Sequence, residues 1–178
     1  MKRIIKWSQH KFNFNQRFFI TILVVVFFLV LIPMILIIRL PELDKIFKFP
    51  SFSFGILNFI LGGILVLIGV FYSIWSIISQ LTQAQGTPLP MMATQKLLVN
   101  GPFKQSRNPM GFGLTVLYFG VGIIVSAFST IIVVLFFFLA LIFYIKVVEE
   151  KELELRFGKD YVEYKNFTPF MIPNPWQK

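Results

Sequence analysis

Six of the eight acidic residues of this 178-residue chain fall between Glu149 and Glu163. They begin with the run Glu149-Glu150-Lys151-Glu152. Forty residues earlier, "GPFKQSRNPMGFG" (Gly101–Gly113) places the cations Lys104 and Arg107 between Gly-Pro and Asn-Pro turn dipeptides. Prolines fix φ, and glycine or asparagine tolerates unusual backbone angles, so this stretch reads as a stiff basic loop. Carboxylates facing a rigid cationic loop can hold a charged small molecule and align it. Other chemistries are shut out by composition. There is no cysteine, which excludes disulfides, thiolate nucleophiles and zinc–thiolate sites. The single histidine, His10, leaves no His-rich metal site and no Ser-His-Asp relay.

The elements that must carry these residues belong to a membrane. Hydrophobic residues make up 56% and charged residues only 14%, against about 25% charged in soluble domains. The net charge of +9 does not form a compact basic domain. Its cations sit at the ends of apolar runs, where they anchor membrane helices, and nucleic acid is not expected as a partner. Phe18–Ile38 is uncharged and long enough to cross a ~30 Å hydrocarbon core, with Pro33 expected to kink it late. It exceeds a signal-peptide core and lacks a small-residue cleavage site, so it is expected to be retained. Arg39–Ser53 reads as a short loop and Phe54–Ser79 as a second span. Gly62 and Gly63 there are a weak signal for close helix approach. Leu81–Met110 is polar, proline-bearing and without helical period. Gly111–Val148 is too long for one span and, broken at "SAFS" (Ser126–Ser129), predicts a helical hairpin of two spans of about 18 residues each. Pro109 can start the first of them, because its missing N–H costs nothing at the first helical position.

The expectation is thus an all-α integral membrane protein. About four transmembrane helices are followed by a charged C-terminal helix from Glu149. The chain forms a single membrane domain, with generic spans at 18–38 and 54–79 and the chemistry in 81–178. Fourteen of seventeen lysines and arginines lie on the tails and the long loop, and three lie in Arg39–Ser53. Positive residues stay inside, so both termini and the long loop are predicted to be cytoplasmic, where loop and acidic tail can meet.

If the tail helix is unbroken, Glu150, Leu153, Phe157, Tyr161 and Tyr164 share one narrow face. Taken alone, that face also fits a membrane-surface helix with a solvated acidic edge, and the loop also fits a plain positive-inside connector. "GFG" (Gly111–Gly113) lets backbone or ligand come close, but no strand precedes it, so it is no dinucleotide fingerprint.

The order of the pieces is more specific than any one of them. "GTPLP" (Gly86–Pro90), "LLVNGPF" (Leu97–Phe103), "RNPM" (Arg107–Met110), an apolar hairpin, "EEKEL" (Glu149–Leu153), "FGKDYVEY" (Phe157–Tyr164) and a late Ile172-Pro173 follow in sequence. Together they resemble the isoprenylcysteine carboxyl methyltransferase and phospholipid methyltransferase superfamily over roughly the C-terminal 95 residues. The resemblance implies methyl transfer from S-adenosylmethionine to a lipid-like or small amphiphilic acceptor that arrives from the bilayer. No metal is required. Carried over, the cofactor contacts are Leu97, Leu98, Val99, Gly101, Phe103, Asn108, Pro109, Met110, Gly111 and Glu149. An upstream glutamine would match Gln85 or Gln83. Glu150, Lys146 and Arg107 are the candidates for a catalytic role.

The chain also departs from that pattern. Asn108 stands where the family has histidine, and Gly111 where it has tyrosine. The arginine that the carboxyl methyltransferases use for their substrate is Ile145 here, with Lys146 beside it, so a prenylcysteine carboxylate acceptor is not supported. These departures also motivate a second expectation, a non-catalytic subunit, scaffold or lipid-binding module on the same architecture. A transporter is disfavoured, because the spans carry no internal charge except Lys146 near an end.

Overall fold

The computed structural model describes residues 12–50, 52–89 and 92–176. The basic N-terminal tail up to Lys11, including His10, lies outside the described residues, as do Ser51, Pro90, Met91, Gln177 and Lys178. Among the described residues every regular element is helical. They are α1 (Phe14–Val26), α2 (Ile32–Ile38), α3 (Leu40–Phe47), α4 (Ile56–Thr82), α5 (Pro102–Gln105), α6 (Pro109–Val125), α7 (Phe128–Tyr144), α8 (Glu150–Phe157) and α9 (Lys159–Phe167). Three helical stretches, Phe14–Phe47, Ile56–Thr82 and Phe128–Phe157, are long and apolar enough to cross a membrane, and Pro109–Val125 is a shorter apolar helix. The four apolar helices and the hairpin expected from the sequence are therefore present.

Several boundaries differ in instructive ways. A π-helical turn, Phe27–Leu31, separates α1 from α2 and runs up to Pro33. Proline lacks the N–H that an α-helix would use there, and a widened turn is one way to absorb that loss. Arg39–Ser53 is not simply a loop, since α3 occupies most of it. Asp44 on α3 accepts hydrogen bonds from the Phe128 and Ser129 amides at 2.7 and 2.8 Å, and also from the Ser129 hydroxyl. It thereby caps α7 from outside its own helix. At the hairpin corner Ser126 takes a left-handed φ of 55°. The Asn58 side chain of α4 holds that corner by donating to the Ile123 carbonyl at 3.0 Å and to the Ser126 hydroxyl at 2.6 Å.

The core of the bundle is the α4–α6 seam. A Cβ on Gly62 would lie 2.6 Å from the Gly120 carbonyl oxygen, and one on Gly69 would lie 2.4 Å from the Leu117 amide nitrogen. Side chains are absent there because the two backbones touch, and close packing of this kind holds helices together in lipid. Gly63, the neighbouring glycine, faces open space. Tyr118 of α6 is buried and donates to the Phe28 carbonyl at 2.9 Å, tying the first span to this pair. At the opposite end of the bundle from the hairpin corner, Arg17 donates to the Leu81 carbonyl at 2.9 Å. The end of α4, the long loop, the start of α6 and the tail helices all gather there.

Candidate functional site

The long loop has little regular structure, yet it is tied down residue by residue. The Thr87 amide bonds to the Met92 carbonyl at 2.8 Å, and the Gln95 amide to the Ala84 carbonyl at 2.7 Å. Gly101, at a φ of 60°, turns the chain into α5, and Pro102 and Pro109 open α5 and α6. A tail strap, Thr168–Asn174, then closes over this loop. It accepts hydrogen bonds from the Ser106 hydroxyl (Met171 carbonyl, 2.8 Å), the Arg107 Nε (Thr168 carbonyl, 3.1 Å) and the Asn108 side-chain amide (Phe170 carbonyl, 2.7 Å). Tyr164 adds a bond to the Phe103 carbonyl at 2.6 Å. Loop and tail therefore meet.

The tail is not one helix. Gly158 adopts φ 56° and ψ −126°, a conformation essentially restricted to glycine, and it separates α8 from α9. The single face expected over Glu150–Tyr164 is replaced by a corner. Phe157 turns toward the Arg156 guanidinium at 4.9 Å. Glu150, Tyr161 and Tyr164 still point inward and are buried. Burial first, and then the charge of Glu150, push the Tyr161 phenol up to about 12.

Between loop, α8 and the spans lies a cavity of about 380 Å³, within the range of cofactor sites. Of the sequence-predicted residues, Leu97, Leu98, Phe103, Asn108, Pro109, Met110, Gly111, Glu149 and Arg107 line it. Val99 and Gly101 do not: Val99 is exposed, and Gly101 packs beside Trp75. Glu150 stands behind the wall. Its Oε1 is 2.5 Å from Arg107 Nη1 and its Oε2 is 2.8 Å from Lys165 Nζ. Hydrogen bonds to Glu150 and then Glu154 raise Lys165 above its ordinary value. Lys146 is exposed and lies 5.1 Å over the Phe170 ring, away from the cavity.

Gln83 and Gln85 do not line the cavity, whereas Gln80 does, and its side-chain oxygen is buried without a hydrogen-bond partner. The apolar pattern of the sequence ends the span at Ser79. The helix runs on to Thr82, so Gln80 keeps the inward phase of Ser73 and Ser76. Helical spacing from those serines was the signal that could have found it. Thr94, Glu152 and Arg156 also line the cavity. Arg156 pairs with Glu152 at 3.2 Å and donates to the Thr94 carbonyl.

The charges at the site sort into paired and free. Arg107, Arg156 and Lys165 are each neutralised by a carboxylate. Glu149 receives no hydrogen bond and makes no ion pair among the described residues. On the donor side, the Met110 and Gly111 amides belong to the first turn of α6, which no intrahelical carbonyl reaches, and both residues line the cavity. The far wall is apolar, with Phe28, Leu114, Phe137 and Leu141. Phe137 and Glu149 are twelve positions apart on one continuous helical stretch, so the cavity reaches about 18 Å from the charged end into the span at about 1.5 Å per residue.

Fold and site together define a helical integral membrane protein with a cavity at the junction of its spans and a polar cap. The phospholipid methyltransferase family profile matches residues 57–160, more than half of the chain, and the chain belongs to that family. The match begins in α4 and runs into α9. No curated protein sequence gives a significant match. The family makes the chain a membrane methyltransferase at the general level.

Proposed function

We propose that this protein transfers a methyl group from S-adenosylmethionine to the amine of a lipid headgroup. The observation that carries this reading is the two-ended cavity, charged and capped at one end and apolar between the spans at the other. The residues present fit the cofactor. The free Met110 and Gly111 amides at the α6 N-terminus suit its carboxylate. Leu97, Leu98 and Phe103 offer apolar faces to its adenine, and the Asn108–Gly111 turn brings the backbone close. When bound, the cofactor supplies an electrophilic methyl group on a sulfonium.

The chain's own task is alignment and exclusion of water. The strap holds the loop wall in place through Ser106, Arg107 and Asn108. In this reading the acceptor's hydrocarbon chain lies along Phe28, Phe137 and Leu141 and its headgroup faces Glu149. The three cations at the site are spent on carboxylates, which leaves none for an acceptor carboxylate. A donor-rich amine suits the free oxygens of Glu149 and Gln80. The site faces the cytoplasm in this reading, on the lysine and arginine distribution.

Calorimetric titration of the detergent-solubilised protein with S-adenosylmethionine and with its demethylated product tests the assignment. Saturable binding of either is expected. A folded, monodisperse protein that binds neither would overturn it.

A further inference from the structure

The tail strap has an outer face that the cavity does not use. Met171 is buried against the start of α6, where a Cβ on Gly111 would lie 3.7 Å from its thioether. Its neighbour Ile172 is 74% exposed, and Trp176, past Pro173 and Pro175, is 88% exposed. The level of the strap along the spans tells what covers that face. At one end the Phe170 ring packs under Lys146 of the last span, with Nζ 5.1 Å from its centroid, and Tyr144 lies two residues before Lys146. At the other end the Asn174 amide donates to the Gln105 carbonyl at 2.8 Å, and the Gln105 side chain accepts from the Tyr72 hydroxyl of α4 at 2.9 Å. Tyr72 clusters with Phe71 and Trp75, at ring-centroid distances of 5.5 and 6.3 Å. It lies ten residues before the end of α4 at Thr82, about 15 Å back along the helix, so the strap runs beside this span and not above it.

Tryptophan, tyrosine and snorkelling lysine near the ends of apolar spans mark the bilayer interface. Tyr72 and Trp75 on one flank and Tyr144 and Lys146 on the other therefore set the strap at the level where headgroups meet acyl chains. We propose that the strap is a membrane-interface segment. Ile172 and Trp176 insert into the phospholipid leaflet beside α4 and the last span, and Lys104 and Lys146 face headgroup phosphates. Both lysines are exposed and make no ion pair among the described residues. Apolar side chains rimmed by free cations match an anionic leaflet, continuous with the lipid that already surrounds the spans. This goes beyond the methyl-transfer reading and does not depend on it. The strap also fastens Ser106, Arg107 and Asn108, so the leaflet backs the loop wall of the cavity from outside.

Trp176 is itself the probe. The chain has two other tryptophans, Trp7 and Trp75, and replacing both with phenylalanine leaves Trp176 as the sole emitter. The full chain is placed in nanodiscs of phosphatidylcholine and phosphatidylglycerol, which leave both membrane faces open to added reagents. Trp176 emission is expected to be blue-shifted, and to be quenched more by acyl-brominated phospholipid than by aqueous acrylamide. Stronger quenching by acrylamide would put the tail in water, and protection from both quenchers would put it against protein. Either result overturns the proposal. Ile172→Asp supplies a second arm. At so exposed a site in water the change would be close to neutral. In the leaflet it buries a charge and should release the strap, read as faster proteolysis beyond Phe167 in nanodiscs than for the wild type. A variant tail as resistant as the wild type would also overturn the proposal.

Discussion

Neutralising Glu150 and neutralising Glu149 should have different effects on stability, although the two residues are neighbours. Glu150 is about nine-tenths buried and holds Arg107 at 2.5 Å and Lys165 at 2.8 Å. Removing one partner of a buried pair leaves the other charge uncompensated, at a cost of about 3–5 kcal/mol. Arg107 keeps the Thr168 carbonyl, which favours the low end. The Lys165 arm is one-third exposed and is screened, so it adds less than about 1 kcal/mol. Glu150→Ala should therefore cost about 3 kcal/mol, or roughly 6–12 °C in melting temperature for a chain of this size. Glu149→Gln breaks no bond and removes a charge beside two like charges, so its melting temperature should stay the same or rise slightly. Thermal unfolding of both variants in detergent, followed by tryptophan fluorescence, makes the comparison. Equal losses in the two, or a larger loss for Glu149→Gln, would refute the division into a structural and a free carboxylate.

Other perturbations have similarly direct readouts. Gly158→Ala forces a side chain into a glycine-only conformation and should destabilise the α8–α9 corner by about 1–3 kcal/mol, seen as a lower melting temperature. Gly113→Val places atoms against Ser73, where a Cβ alone would already lie 2.5 Å from the hydroxyl oxygen, and should abolish monodisperse protein on gel filtration, whereas Gly63→Val, facing open space, should not. At Gly111 a Cβ would lie 3.2 Å from Leu141 and 3.7 Å from the Met171 thioether. Gly111→Ala should be tolerated, and Gly111→Tyr should expel the strap and make residues beyond Phe167 sensitive to protease. Asp44→Asn weakens the cap on α7 and should cost about 1 kcal/mol in unfolding experiments.

What was legible in the sequence follows from how local its cause is. The break of Gly111–Val148 at Ser126–Ser129 and the helix start at Pro109 are short-range effects of turn chemistry and bilayer thickness, and both are present. The gathering of "GPFKQSRNPMG" and Glu149 around one cavity was legible through the order of motifs, since most of the expected residues line it. The unbroken tail face was not legible, because nothing in the pattern says that Gly158 takes a positive φ. The α3 helix was hidden by Pro41 and Pro50, yet Pro41 sits in its first turn, where proline is harmless. The separate roles of Glu149 and Glu150, the Phe170 contact that draws Lys146 away, and Gln80 in place of Gln83 or Gln85 all depend on long-range packing. Asn108 is the clearest such case. Its side chain binds the strap at the Phe170 carbonyl, a partner sixty-two residues away.

Transfer of labelled methyl from S-adenosylmethionine by the purified protein, reconstituted with a total membrane lipid extract, tests the central claim most directly. The account predicts label in the lipid fraction, on an amine headgroup nitrogen that resists mild base, and its loss with Glu149→Gln. Label recovered as base-labile methyl ester, or no label from a protein that binds the cofactor, would contradict it.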